Sequence, residues 1–144
     1  MIRKISINDK ENWKKLYKGY ANFYKSPIND IILDTVWSWL IDKNHEVKGI
    51  VYEIDGNIIA LAHYRAMPRP LKGKYIGFLD DLYVDPAYRN QKIGQKLMNE
   101  IKVISRSEKW DLVRWITRQD NIKAKSLYDK ISEKTNWDVY EMKQ

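Results

Sequence analysis

The chain has 144 residues, of which 44% are hydrophobic and 31% charged, with 6 Trp and 10 Tyr; that is too much apolar surface for a disordered chain and about enough for one domain burying roughly 70% of its unfolded surface. Cys is absent and His occurs twice, which excludes a disulfide framework, a thiolate metal site and a cysteine nucleophile and leaves no metal expected. Lys and Arg outnumber Asp and Glu 26 to 19, a formal +7 scattered along the chain, so an anionic partner (nucleic acid, an acidic membrane or a phosphorylated cofactor) and a merely solvated basic surface both fit.

The chain opens without the apolar stretch of a signal peptide, and no run approaches the ~18 to 20 apolar residues of a membrane span, so a soluble cytoplasmic protein is expected. Residues 2 to 7 alternate Ile with basic and polar residues and read as a first strand, with Asp9 positioned to cap a helix. Trp13, Leu16, Tyr17, Tyr20 and Tyr24 then fall on one helical face up to Ser26-Pro27. A second helix capped by Asp30 is predicted to share Ile32, Val36, Trp39, Leu40 and Lys43 on a face, ending at Asn44-His45.

Ile50 to Ile54 and Ile58 to Tyr64 flank Asp55-Gly56-Asn57 as a β-hairpin. Met67 to Lys74 reads as a connector, and Tyr75 to Val84 as a strand carrying Asp80 and Asp81 side by side. A basic turn from Asp85 to Gly94 opens a helix with Ile93, Leu97, Ile101 and Ile104 on one face. Leu112 to Thr117 is a predicted strand, Asn121 opens a helix with Ala124, Leu127, Tyr128 and Ile131 on one face, and Trp137 to Met142 is a predicted last strand. The order β-α-α-β-β-β-α-β-α-β describes one α/β (mixed α+β) domain over residues 1–144, a mixed, mostly antiparallel sheet with helices on both sides. A strand that ends in a turn opening a helix offers free N–H groups and the positive end of a helix dipole, the requirements for gripping a phosphate.

Arg89-Asn90-Gln91-Lys92-Ile93-Gly94, placed after such a strand, resembles the pyrophosphate loop Arg/Gln-x-x-Gly-x-Gly/Ala of the GNAT superfamily of acetyl-CoA-dependent N-acetyltransferases, with Lys92 where the pattern has its first Gly. Leu79 to Arg89 is similar to that superfamily's strand-to-loop segment, and Asn121 to Tyr128 to its Asn-x-x-Ala-x-x-x-Tyr helix. Trp13-x-x-Leu-Tyr-x-x-Tyr-x-x-Phe-Tyr24 further resembles a subgroup of small stand-alone members described as polyamine or histone-type acetyltransferases.

The resemblance implies a three-layer GNAT-like fold and transfer of acetyl from acetyl-CoA to a primary amine by direct attack, without a metal. It implies that the pyrophosphate meets residues Arg89, Asn90, Gln91, Lys92, Ile93, Gly94 and Gln95, and that the pantetheine arm meets Leu82, Tyr83, Val84 and Asn121. Attack requires a base, because an amine of pKa near ~10 is mostly protonated at neutral pH; Asp80 is the first candidate and Asp81 the second. Neighbours on a regular strand face opposite sides, so only one of the pair is expected at the site. Tyr128 matches the tyrosine that protonates the departing thiolate, although its helix face also suits a core aromatic, and Asn121 equally suits a helix cap. The family's acceptor region implies Tyr20, Tyr24, Pro27 and Asp30, and His63 is either an acceptor contact or a structural histidine. The acceptor is a small-molecule amine, a polyamine or a lysine-like amine. A short last strand would leave a sheet edge open, so a homodimer is expected. The competing readings are a catalytically silent acyl-CoA-binding regulatory module and a nucleic-acid-binding domain.

Overall fold

The computed structural model describes residues 1–144. Nine principal elements follow in order: β1 (Ile2–Lys4), α1 (Lys10–Phe23), α2 (Asp30–Ile41), β2 (Lys48–Ile54), β3 (Asn57–Arg69), β4 (Lys74–Val84), α3 (Ile93–Ser107), β5 (Val113–Arg114) and α4 (Ile122–Ile131). The strands form a single sheet in the order β1-β2-β3-β4-β5, antiparallel except for the β4–β5 pair. The mixed α/β class and its mostly antiparallel sheet are those expected from the sequence.

Strand β3 explains the layering. Ile58 through Tyr64 are all buried, as expected for a strand covered on both faces. On one face Ile58 and Leu61 join Val51, Trp13 and Leu16 of α1, and Leu33, Trp37 and Leu40 of α2. On the other, Ile59, Ala62 and Tyr64 join Ile50, Leu79 and Ile93, Leu97, Met98 and Ile101 of α3. Trp13, Leu33, Leu61 and Leu97 are completely shielded from solvent, and truncating any of the three leucines to Ala is expected to cost about 2 to 5 kcal/mol.

Local chemistry fixes the joints. Asp55 and Gly56 both have positive φ, the backbone of a two-residue hairpin turn between β2 and β3. Asp9 sits at the head of α1 but does not cap it through its side chain: it is buried, grips the Arg3 guanidinium with both oxygens at 2.8 Å and accepts from the Ser6 N–H at 2.7 Å, tying β1 to α1.

Several boundaries depart from the sequence reading. Asn29, not Asp30, caps α2, its Oδ1 accepting from the Ile32 N–H at 2.9 Å. The buried face of α2 is Leu33, Trp37 and Leu40, while Ile32 and Trp39 are exposed. Strand β3 runs on through Pro68 to Arg69, so the connector shrinks to Pro70–Gly73. β5 spans only two residues, and Trp137 to Met142 form no strand; Trp137, Val139, Tyr140 and Met142 are solvent-exposed.

The short β5 creates the opening around which the site is built. It pairs with β4 only at Gly77 and Phe78. Gly77 permits that contact, since a Cβ there would lie 2.5 Å from the Trp110 ring. Beyond Phe78, β4 from Leu79 to Val84 has β3 on one edge and no strand on the other.

Candidate active site

The register of β3 and β4 decides how the two adjacent carboxylates are displayed. His63 pairs with Asp81, but Tyr64 pairs with Leu79, so Asp80 is an extra residue in β4 and forms a bulge. The bulge corrects the expectation of opposite faces: Asp80 and Asp81 line the same cavity of about 340 Å³, with Tyr17, Val36, Trp39, Val47, His63 and Arg65.

The two acids have different environments. Asp81 Oδ2 accepts from Tyr17 Oη at 3.0 Å and lies 2.8 Å from His63 Nδ1. The indole Nε1–H of Trp13 can only donate, and it points to His63 Nε2 at 3.0 Å; His63 therefore carries its hydrogen on Nδ1 and donates it to Asp81. Burial raises the Asp81 pKa, but the His63 and tyrosine contacts outweigh it and hold the carboxyl below its ordinary value. Asp80 goes the other way: burial raises its pKa, and Arg65, whose Nε lies 3.1 and 3.0 Å from the two carboxylate oxygens, offsets that only in part. Of the pair, Asp80 is the stronger base. Burial first, and the Asp81 charge second, push the Tyr17 and Tyr20 hydroxyls upward, so both keep their protons.

An aromatic ladder leads from this cavity along α1. Tyr17 stacks on Tyr20 at 5.7 Å, Tyr20 meets Tyr24 at 4.8 Å and Tyr83 at 6.2 Å, and Tyr24 Oη accepts from Asn121 Nδ2 at 3.5 Å. Asn121 occupies the cap position of α4, yet its side chain does not cap; its amide turns to Tyr24 and to Thr117 Oγ1 at 3.3 Å. A second cavity of about 230 Å³ is lined there by Phe23, Tyr24, Lys25, Arg118, Asp120 and Asn121. About two turns further along α4, Tyr128 packs edge-on against Trp115 at 5.2 Å. Its hydroxyl makes no hydrogen bond within the chain, and burial, with a smaller contribution from Tyr24, pushes its pKa up to about 12.

The start of α3 is ready for an anion. The N–H groups of Asn90 to Gln95 have no acceptor in the chain; the first of the helix to find one is Lys96, which donates to the Lys92 carbonyl at 3.0 Å. Lys92 has φ 59° and ψ 21°, the left-handed backbone that a glycine would adopt freely, so the substituted residue retains a glycine-like turn. Arg89 borders the loop, its Nε donating to the Val84 carbonyl at 3.2 Å and its guanidinium lying 5.6 Å from the Tyr83 ring.

The sequence-derived candidates thus separate into three places. Asp80, Asp81 and His63 share the larger cavity, with Tyr20 beside it on the ladder; Tyr24 and Asn121 meet at the smaller one; and Leu82, Tyr83 and Val84 lead along the open edge of β4 to the loop from Arg89 to Gln95. Asp30 is exposed in the first turn of α2 and lines neither cavity, and Pro27 likewise. Sequence reasoning did not single out the Trp13–His63–Asp81 chain or Arg65. Arg65 carried one usable signal, its position two residues after His63 on a strand.

Comparison with known proteins places the chain in a family. The chain is 28% identical to a D-amino-acid N-acetyltransferase of Saccharomyces cerevisiae over 97% of its own length and 88% of the relative's. Its fold is similar to that of a possible acetyltransferase from Clostridium difficile (TM-score 0.87, 23% identity, 100% of this chain and 97% of the other). It is similar also to a ribosomal-protein-alanine N-acetyltransferase from Brucella melitensis biovar Abortus (TM-score 0.84, 18% identity, 100% and 98% covered). The sequence profile described as Acetyltransferase (GNAT) family matches residues 13–132, and with that span the chain belongs to the GNAT family of acetyl-transferring enzymes, whose cosubstrate is acetyl-CoA.

Proposed function

We propose that the protein transfers acetyl from acetyl-CoA to the primary amine of a small molecule by direct attack, with Asp80 as general base and Tyr128 as general acid. The observation that carries this reading is the open edge of β4, which runs between the carboxylate cavity and the unpaired N–H groups of the α3 loop.

The residues present suit the cosubstrate. Six N–H groups from Asn90 to Gln95, the dipole of α3 and the cations of Arg89 and Lys92 would hold a pyrophosphate. The open edge of β4 beside Leu82 and Tyr83, with the Asn121 amide, would hold the pantetheine arm, and a β4 N–H near Leu82 facing that edge would be the donor to the oxyanion. When bound, acetyl-CoA supplies an acyl group activated as a thioester.

At neutral pH the acceptor arrives as an ammonium and must lose a proton before it can attack. Asp80, the more basic of the two acids, takes it. Asp81, engaged by His63 and Tyr17, holds the floor of the cavity. Tyr128, with its pKa raised to about 12, retains its hydroxyl hydrogen across the working range and offers it to negative charge developing on sulfur. The yeast relative's name specifies an amino acid as its acceptor, which fits a small-molecule amine here.

The pH–rate profile tests the assignment. Asp80→Asn is expected to lower kcat/KM by about 100-fold or more and to move the remaining activity to higher pH, where the free amine is more abundant. An Asp80→Asn enzyme with the parent's pH profile would remove Asp80 as the base.

A further inference from the structure

Arg65 is the one guanidinium in the carboxylate cavity, and its surroundings fix it in place while engaging only its Nε–H and leaving both Nη groups unused. Its Nε lies within 3.1 Å of both Asp80 oxygens, and its Cζ stands 4.8 Å from the Phe78 ring centroid, so a carboxylate and an aromatic face hold the plane. Neither Nη group makes a hydrogen bond within the chain, and the side chain is one-third exposed (33%). A planar fork with free N–H groups is the geometry that grips a carboxylate by two parallel hydrogen bonds.

The cavity therefore presents a fixed pair of opposite charges side by side, Asp80 and Arg65, beside an apolar wall of Val36, Trp39 and Val47. The other acid, Asp81, is turned to His63 and Tyr17. An α-amino acid carries ammonium and carboxylate on a single carbon, with its side chain as the third substituent. We propose that the acceptor is a zwitterionic α-amino acid with an apolar or aromatic side chain, its ammonium on Asp80, its carboxylate on the free Nη groups of Arg65 and its side chain against Val36, Trp39 and Val47. This rests on the acetyl-transfer reading above.

The chemistry balances. The C–N bond to the acetyl group forms and the thioester C–S bond breaks. Of the two protons the ammonium gives up, one leaves to solvent through Asp80 and the other ends on the CoA sulfur. The product keeps its carboxylate and has lost its positive charge, so Asp80 no longer attracts it, and release follows from the same charge pair that selected the substrate.

The test compares phenylalanine, each enantiomer separately, with phenethylamine, which has the same side chain and no carboxylate. With acetyl-CoA and the full chain, kcat/KM is expected to favour one phenylalanine enantiomer over phenethylamine by at least about tenfold, the preference of a site built to pair a charged group. Arg65→Gln should reduce that ratio at least tenfold, mainly through KM for the amino acid, and Arg65→Lys, which keeps the charge but not the fork, should restore part of it. Calorimetric titration of phenylalanine into the protein with CoA present should show binding that Arg65→Gln weakens by a similar factor. An enzyme that prefers phenethylamine, or an Arg65→Gln variant that lowers both acceptors equally, would overturn the carboxylate assignment while acetyl transfer stands. Wild-type protein that acetylates no primary amine at all would overturn both.

Discussion

Asp80 and Asp81 are adjacent in the chain and opposite in proton affinity, which makes their effects on stability opposite in sign. Asp81 has a folded-state pKa below its unfolded value, so its ionised form stabilises the fold above the unfolded pKa near ~3.9, and that contribution is lost as pH falls through the folded value. Asp80 has a folded-state pKa above its unfolded value, so ionising it costs stability, and the cost is complete once pH exceeds the folded value. At neutral pH, Asp81→Asn is therefore expected to lower the midpoint of thermal unfolding and Asp80→Asn to raise it; equal shifts of the same sign would contradict the two environments. Tyr128→Phe removes a hydroxyl that bonds to nothing else in the chain. It should lower kcat by about 100-fold, the usual size of a general-acid contribution, with little change in acetyl-CoA affinity. A variant that turns over at the parental rate would leave Tyr128 as a packing residue against Trp115. At this scale the motifs from Arg89 to Gly94 and from Asn121 to Tyr128 were legible because loop and helix chemistry is local. The Trp13–His63 bond joins residues 50 apart in sequence, and no local pattern announces it.

Among the elements, the helices that read most clearly were those with one apolar stripe. In α3 the stripe of Ile93, Leu97 and Ile101 is also the buried face. α2, Asp30–Ile41, carries large apolar residues almost all round, so its periodicity admits more than one face, and packing against Val51 and Leu61 buries Leu33 and Trp37 beside the expected Leu40 and leaves Ile32 and Trp39 exposed. The bulge at Asp80 was illegible for a similar reason: register is a property of two strands, and neither sequence alone contains it. The predicted final strand does not form, and β5, the edge strand beside which it would lie, spans only two residues. The opening along β4 depends on where β4 and β5 still touch. Gly77→Ala would drive a methyl into the Trp110 ring and crowd the Val113 side chain, for which about 1 to 3 kcal/mol of destabilisation is expected, together with weaker acetyl-CoA binding as the strands shift. Unfolding in urea measures the first and calorimetric titration the second; an unchanged midpoint would mean that the indole moves aside freely.

For the molecule as a whole, the formal +7 fits a polyanionic cosubstrate held on the edge of a sheet, and no helix is long and apolar enough to cross a membrane. Helices α1 and α2 cover one face of the sheet and α3 the other, and β4 parts from β5 after Phe78. Left-handed Lys92 keeps the loop's glycine-like turn, which bears on whether the whole assembly binds its cosubstrate. Saturation at 100 times Kd would add about 2.7 kcal/mol of stability, several degrees for a domain of this size. The most direct measurement is the initial rate of CoA thiol release at varied concentrations of acetyl-CoA and a primary amine, with the amine product and the intact protein weighed by mass spectrometry. We expect release that depends on the amine, intersecting double-reciprocal lines, an acetylated amine and unmodified protein. Parallel lines with an acetylated protein, or acetyl-CoA binding without amine-dependent release, would contradict direct transfer at this site.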